Sequence, residues 1–373
     1  VSTGTPLQAR LQDLLDGATS AAIATPPGQA EPVDGAPGAA ALIAHRGEVL
    51  AQAHSGWAVA FAADGRLLPE PEREPVRPDQ LWDVASVTKL FTAVCVLAHA
   101  EAGVLDLDRP VAEDLPEFAA SDPDRARVLP RHLLTHTAGL PSVLPLWRRR
   151  GSRDQLAGQI LRTPLLRAPG EQHEYSCVGY LTLGLLLERR TGRPLPELVQ
   201  TCVTGPLGMA DTGYTPPPGR PVAATEYQHD PARGLVRGQV HDETAWALGG
   251  AGNAGIFSTP ADLLRFAEEV RTGAHGLLGD TSRTLLRTGT LTAAETARIG
   301  YDQAIGFRLG QESLTGSTEA GPLGHSGFTG TAVVIDPGRE LVSVLLSNRV
   351  HPRRESFTVE RLRAELAGLA RTG

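Results

Sequence analysis

The sequence predicts an α/β chain of the α+β kind, in which one sheet is assembled from both ends and flanked by helices. A mainly helical domain is inserted between the two ends. Three observations predict this. Turn-punctuated, β-rich segments stand near the ends, at residues 39–44 and 49–60 and again at 306–309, 331–335 and 341–347. The middle carries apolar residues at helical spacing, most clearly in residues 87–97 and 178–190. The length of 373 residues is enough for two packed lobes. The boundaries drawn from this layout are 1–82 with 296–373 for the sheet domain and 83–295 for the helical one. A site is expected where the two meet.

Taken in order, residues 7–15 form a short amphipathic helix that Gly17 ends, followed by a Pro-, Gly- and Ala-rich loop to residue 38. Residues 39–44 and 49–60 make a hairpin around Arg46-Gly47-Glu48, and the charged stretch 69–78 is a surface loop. A helix runs from Ser86 until Gly103 closes it. His132 and His136 stand four apart without the glutamate of a zinc-binding H-E-x-x-H, so both read as structural. Arg148, Arg149, Arg150 and Arg153 read as a solvated basic face. Helices follow at 178–190 and 194–203. Gly250, Gly252 and Gly255 form G-x-G-x-x-G, but no strand precedes it, which excludes a dinucleotide fold there. Ser258-Thr-Pro260 opens another helix, Asp336-Pro-Gly-Arg339 turns between the last two strands, and 355–369 is a C-terminal helix.

Composition narrows the function. A hydrophobic content of 41%, a charged content of 21% and a net charge of −7 describe a soluble globular chain that binds neither nucleic acid nor an anionic membrane. The apolar runs 91–98 and 183–187 are too short to span a bilayer. Cys95, Cys177 and Cys202 are too few and too scattered for a disulfide framework or a zinc site, and no metal or cofactor is expected. The opening Val-Ser-Thr-Gly-Thr-Pro is not a signal peptide, which predicts a cytoplasmic chain or a secreted one already processed. Abundant Ala, Arg, Gly and Pro beside a single lysine suggests a GC-rich bacterial genome.

That lysine stands in Asp83-Val-Ala-Ser86-Val-Thr-Lys89, where an apolar helix begins. Residues three apart share a helix face, so the Ser86 hydroxyl and the Lys89 amine can meet. A serine needs an adjacent base to become a nucleophile, and lysine serves as one when its pKa is lowered. The first helical turn adds unpaired N–H groups suited to an oxyanion. Gly324-His325-Ser326-Gly327 is half of a G-x-S-x-G elbow, but Phe328 breaks the pattern and no strand-to-helix turn surrounds it. Ser326 is therefore not read as the nucleophile.

Ser86-x-x-Lys89, Tyr175-x-Cys177 and His325-x-Gly327, in this order, resemble the serine β-lactamase and penicillin-binding-protein superfamily. The resemblance is strongest to its class C-like branch of β-lactamases, D-alanyl-D-alanine peptidases, esterases and acyltransferases. Leu105-Asp-Leu-Asp-Arg-Pro, His132-Leu-Leu-Thr-His-Thr-Ala-Gly, Gly255-Ile-Phe-Ser-Thr and Gly327-Phe-Thr-Gly-Thr extend it from about residue 39 to 352. The resemblance implies the β-lactamase/transpeptidase-like fold with a mostly antiparallel sheet. It implies that Ser86 is acylated, with Lys89 its base; burial and hydrogen bonding to Ser86 and Tyr175 are expected to keep that lysine neutral in the free enzyme. Tyr175 shuttles protons, and His325 fills a position that is Lys or His in the family. The oxyanion hole consists of the N–H groups of Ser86 and Phe328, and Cys177, Ser326 and Gly327 contact substrate.

Two positions depart from the pattern. Cys177 stands where the family carries asparagine, and Asn253 where relatives often carry histidine. A thiol is a weak donor, so recognition of β-lactam and peptide amides weakens while simple esters still react. The expected activity is therefore that of an esterase, amidase or transacylase of secondary, antibiotic-type metabolism. Its partners are a small-molecule acyl donor and a water, amine or alcohol acceptor. A class C-type β-lactamase or D-alanyl-D-alanine carboxypeptidase is the alternative, and a non-catalytic β-lactam-like sensor the distant one.

Overall fold

The computed structural model describes residues 5–25, 31–120, 122–149, 151–319 and 321–373. Helix α1 (Pro6–Ala24) leads into a hairpin of β1 (Gly38–His45) and β2 (Glu48–Val59). Arg46 and Gly47 sit at φ 53° and 82° at its tip, the left-handed pair that a two-residue hairpin turn requires. The short strand β3 (Glu74–Pro75) adds to β2. The helical segment follows, with α2 (Thr88–Glu101), α3 (Cys177–Thr191) and α4 (Pro260–Thr272) as its longest members. The chain returns to the sheet through β4 (Asp302–Gln303), β5 (Arg308–Leu309), β6 (Leu323–Ser326), β7 (Ala332–Asp336) and β8 (Leu341–Ser347), and α5 (Glu360–Thr372) ends it.

The sheet has eight strands in the order β3–β2–β1–β8–β7–β6–β5–β4. Each neighbouring pair is antiparallel. Both chain ends meet at its centre, where Ala39 of β1 lies opposite Ser347 of β8. Side chains alternate across a strand, and both faces of this sheet are covered. Ala39, Ala41 and Ile43 pack with Leu11 and Leu15 of α1 and Leu362 and Leu366 of α5. Ala40, Leu42 and Ala44 face the other way, into a core shared with Phe266 and Val270 of α4 and with the helical segment. Although α4 lies in sequence within 83–295, it packs on the sheet.

Some elements differ from the sequence reading: the C-terminal helix begins at Glu360 rather than at residue 355, after the short strand Phe357–Thr358. Helix α1 runs through Gly17 to Ala24, because Thr19 and Ala22 continue its buried stripe beyond the glycine. The 194–203 helix changes at Gln200 into a π-helical turn, Gln200–Thr204. Of the basic face, Arg148 and Arg153 are ion-paired with Asp230 and Glu188, and Arg150 lies outside the described residues. Among the described residues, no helix is long and apolar enough to cross a membrane.

Candidate active site

The site is built where α2 begins. The segment Thr88 to Leu97 is buried on every side, as a helix apolar all round must be. A 3-10 turn, Ala85–Val87, precedes it and leaves Ser86 partly exposed between buried neighbours. Ala85 has φ 48°, a left-handed conformation that costs a non-glycine residue about 1–2 kcal/mol. The surroundings hold it there. Asp83 Oδ1 accepts from Ala85 N at 2.8 Å, Asp83 Oδ2 from His241 N at 2.6 Å, and Thr331 Oγ1 donates to Val84 O at 2.9 Å.

Lys89 is fully buried, and its Nζ faces three polar atoms. These are Ser86 Oγ at 3.0 Å, Asn253 O at 3.0 Å and Cys177 Sγ at 3.5 Å. Asn253 O and Cys177 Sγ accept from Nζ, while the Ser86 hydroxyl can either accept from it or donate to it. Burial pushes the Lys89 pKa down, but the Cys177 and Tyr175 side chains it faces outweigh burial and hold it above the ordinary lysine value. The expectation of a neutral lysine is therefore reversed: this site favours the cation.

Tyr175 precedes α3, and Lys89 Nζ lies 5.0 Å from its ring centroid. His136, read as structural from sequence, backs that ring at 4.6 Å, and its Nδ1 accepts from Ser176 N at 3.1 Å. It positions the Tyr175 segment. His325, on β6, lies 6.0 Å from Tyr175 between centroids, and its Nδ1 is 2.8 Å from Ser326 O. Burial, with Arg308 and Lys89 nearby, holds His325 well below the ordinary histidine range, so it is neutral at pH 7.

Beyond β6, Gly327 lies against the nucleophile turn. A Cβ there would fall 2.0 Å from Thr331 Oγ1 and 2.4 Å from Val84 O, so no larger residue fits. This approach brings Phe328 alongside Ser86, and among the described residues neither Ser86 N–H nor Phe328 N–H has a protein partner. The Phe328 ring packs against His241 at 5.8 Å and under the Arg349 guanidinium at 4.5 Å. His241 in turn contacts Glu226 at 2.9 Å. Burial raises the Glu226 pKa, but hydrogen bonds from His241 and Arg354 more than offset it and hold the carboxyl at about 2.

Ser86, Tyr175, Ser326, Gly327 and Phe328 line one cavity of about 320 Å³. Cys177 reaches the site through Lys89. Sequence reasoning missed Arg308, Arg349 and Arg363, which share the cavity with Glu360. It also missed the purpose of the glycine segment. A Cβ on Gly252 would lie 2.2 Å from Tyr180 O. That close approach lets the carbonyls of Gly252 and Asn253 accept from Thr92 and Lys89. The site combines a partly exposed hydroxyl, a buried cation, a phenol and two free N–H groups, which are the parts acyl transfer uses.

A family model described as "Beta-lactamase" matches residues 28–368. A putative D-alanyl-D-alanine carboxypeptidase of Escherichia coli (strain K12) is 32% identical over 334 residues, 79% of this chain and 75% of that protein. Among solved structures, EstCE1, a hydrolase with promiscuous acyltransferase activity, has a TM-score of 0.75 at 23% identity over 98% of both chains. A mutant of simvastatin synthase from Aspergillus terreus has a TM-score of 0.71 at 19% identity, over 98% of this chain and 95% of that one. The chain belongs to the beta-lactamase family, as a serine hydrolase or acyltransferase of that superfamily.

Proposed function

We propose that the protein is an esterase or transacylase working through an acyl-Ser86 ester. The observation that carries this reading is the buried Lys89 Nζ, 3.0 Å from the partly exposed Ser86 Oγ. Tyr175 Oη, deprotonated in the reacting form beside the Lys89 cation, takes the Ser86 proton as Oγ bonds to the acyl carbon. The Lys89 cation offsets the charge that develops. The N–H groups of Ser86 and Phe328 receive the oxyanion. The leaving group takes the proton as its bond to carbon breaks, which leaves the acyl ester. Water, an alcohol or an amine then attacks the ester, its proton returns through the same Tyr175 oxygen, and Ser86 is regenerated.

Cys177 favours esters over amides. A site that lacks an amide-binding partner loses the hydrogen bond by which amide substrates are distinguished. Arg308, Arg349 and Arg363 favour an acyl donor or leaving group with an anionic part. Their hydrogen bonds go to carbonyls and to Gln311, and among the described residues none of the three is ion-paired. Burial pushes Arg363 down to about 10 and lowers Arg349, a cost that a bound anion relieves.

The second reading is a D-alanyl-D-alanine carboxypeptidase, favoured by the same arginines, since such a peptide ends in a carboxylate. Turnover of activated esters in the presence of alcohol and amine acceptors, set against a peptide ending in D-alanyl-D-alanine, separates the two. The proposal expects fast ester turnover and transfer to at least one acceptor. Faster release of D-alanine than of the ester's alcohol would overturn it in favour of the second reading.

A further inference from the structure

Helix α2 carries a second group of reactive side chains, away from the Ser86 cavity. Cys95 and His99 stand four apart and share a face of the helix. Cys202 reaches them from the turn after the helix Leu195–Val199. One ligand atom from each of the three lies within 4.8 Å of the other two. In sequence the cysteines are far apart and read as unrelated. The fold brings two of them together with a histidine.

Three further features fit a metal-binding role. The segment that holds Cys202 is π-helical, Gln200–Thr204, and such an inserted residue is found disproportionately at functional sites. His99 Nδ1 lies 2.7 Å from the Cys95 carbonyl oxygen, which places the proton on Nδ1 and leaves the lone pair on Nε2. Metal-ligating histidines are commonly oriented by such a bond. Cys95 is buried, whereas Cys202 and His99 are partly exposed, so an ion can enter from solvent.

We propose that Cys95, His99 and Cys202 form a Zn²⁺ site, with water or an external ligand at the fourth tetrahedral position. Two thiolates and an imidazole suit Zn²⁺ and exclude the oxygen-seeking Mg²⁺ and Ca²⁺. Binding displaces the thiol protons of Cys95 and Cys202 to solvent. The ion ties α2, which begins at the Ser86–Lys89 pair, to the π-helical turn. Its effect is on stability rather than on the acyl chemistry.

The test uses the fully reduced protein with Co²⁺ as the spectroscopic probe. After desalting, one Co²⁺ per chain is expected, with a thiolate-to-cobalt charge-transfer band that Zn²⁺ displaces and a raised Tm. Cys202→Ser and His99→Gln should each lose the band and the Tm gain, and either alone suffices if the other does not fold. Ser86→Ala and Cys177→Ser should retain both. No Co²⁺ uptake by the reduced protein would overturn the proposal. So would a band that survives Cys202→Ser, or one that disappears in Cys177→Ser.

Discussion

Asp83 Oδ2 accepts the backbone N–H of His241 at 2.6 Å, while its other oxygen holds Ala85 at 2.8 Å. One buried carboxyl thus joins the nucleophile turn to the segment whose histidine packs on Phe328. Asp83→Ala leaves two buried N–H groups without partners, each worth about 1–3 kcal/mol. It should lower stability by several kcal/mol and acylation more than Asp83→Asn, which keeps one acceptor. Chemical denaturation and ester turnover of both variants test this. Equal behaviour of the two would show that the carboxyl does not organise the turn.

Gly327→Ala places a methyl where Val84 O and Thr331 Oγ1 already stand. The strand end must withdraw from the nucleophile turn, carrying the Phe328 N–H with it. A displacement of about 1 Å at such a site costs about 100-fold in rate. Ester kcat should fall by that order in a protein that still folds. Unchanged kcat would mean that the Phe328 N–H does not act on the reacting oxygen.

His136, His325 and His351 are buried, and burial holds the first two well below the ordinary range and His351 at about 4. The unfolded chain binds protons at these positions as pH falls below about 6.5, whereas the folded chain resists them. Stability is therefore complete above about pH 6.5 and declines toward the folded-state values, by about 1.4 kcal/mol per pH unit for each group. Thermal unfolding at pH 7.5 and 5.5 should show a lower Tm at the acid value. Because His325 stays neutral, the acylation rate should show no His325 inflection between pH 6 and 7. Equal Tm values at the two pH values would contradict this account.

Much of the fold was legible because the sheet strands are marked by local chemistry, as at Arg46-Gly47 and Asp336-Pro-Gly-Arg339. Ser86 and Lys89 were legible for the same reason: they sit three apart on one helix. The remainder is long-range. The Asn253 carbonyl reaches Lys89 across 164 positions, and no local pattern distinguishes a backbone acceptor. The protonation of Lys89 depends on Cys177 and Tyr175, which only folding brings beside it. Gly17 looked like a helix end, yet the burial of Thr19 and Ala22 against other elements kept the helix going.

Cys177 Sγ lies 3.5 Å from Lys89 Nζ, where the family's asparagine would offer an amide. Cys177→Asn should raise acylation by β-lactams relative to simple esters by about 10-fold, the value of one good hydrogen bond of about 1.4 kcal/mol. Competing the two substrate classes against the unmodified and substituted proteins reads this ratio directly. An unmoved ratio would show that the side chain at 177 does not set amide preference.

The most direct test of the central claim is intact-mass analysis of the protein after brief exposure to an activated ester, followed by peptide mapping. The account predicts one acyl group per chain on Ser86, lost on standing, and no adduct on Ser86→Ala although that variant folds normally. An adduct on Cys177, or acylation that persists in Ser86→Ala, would contradict it.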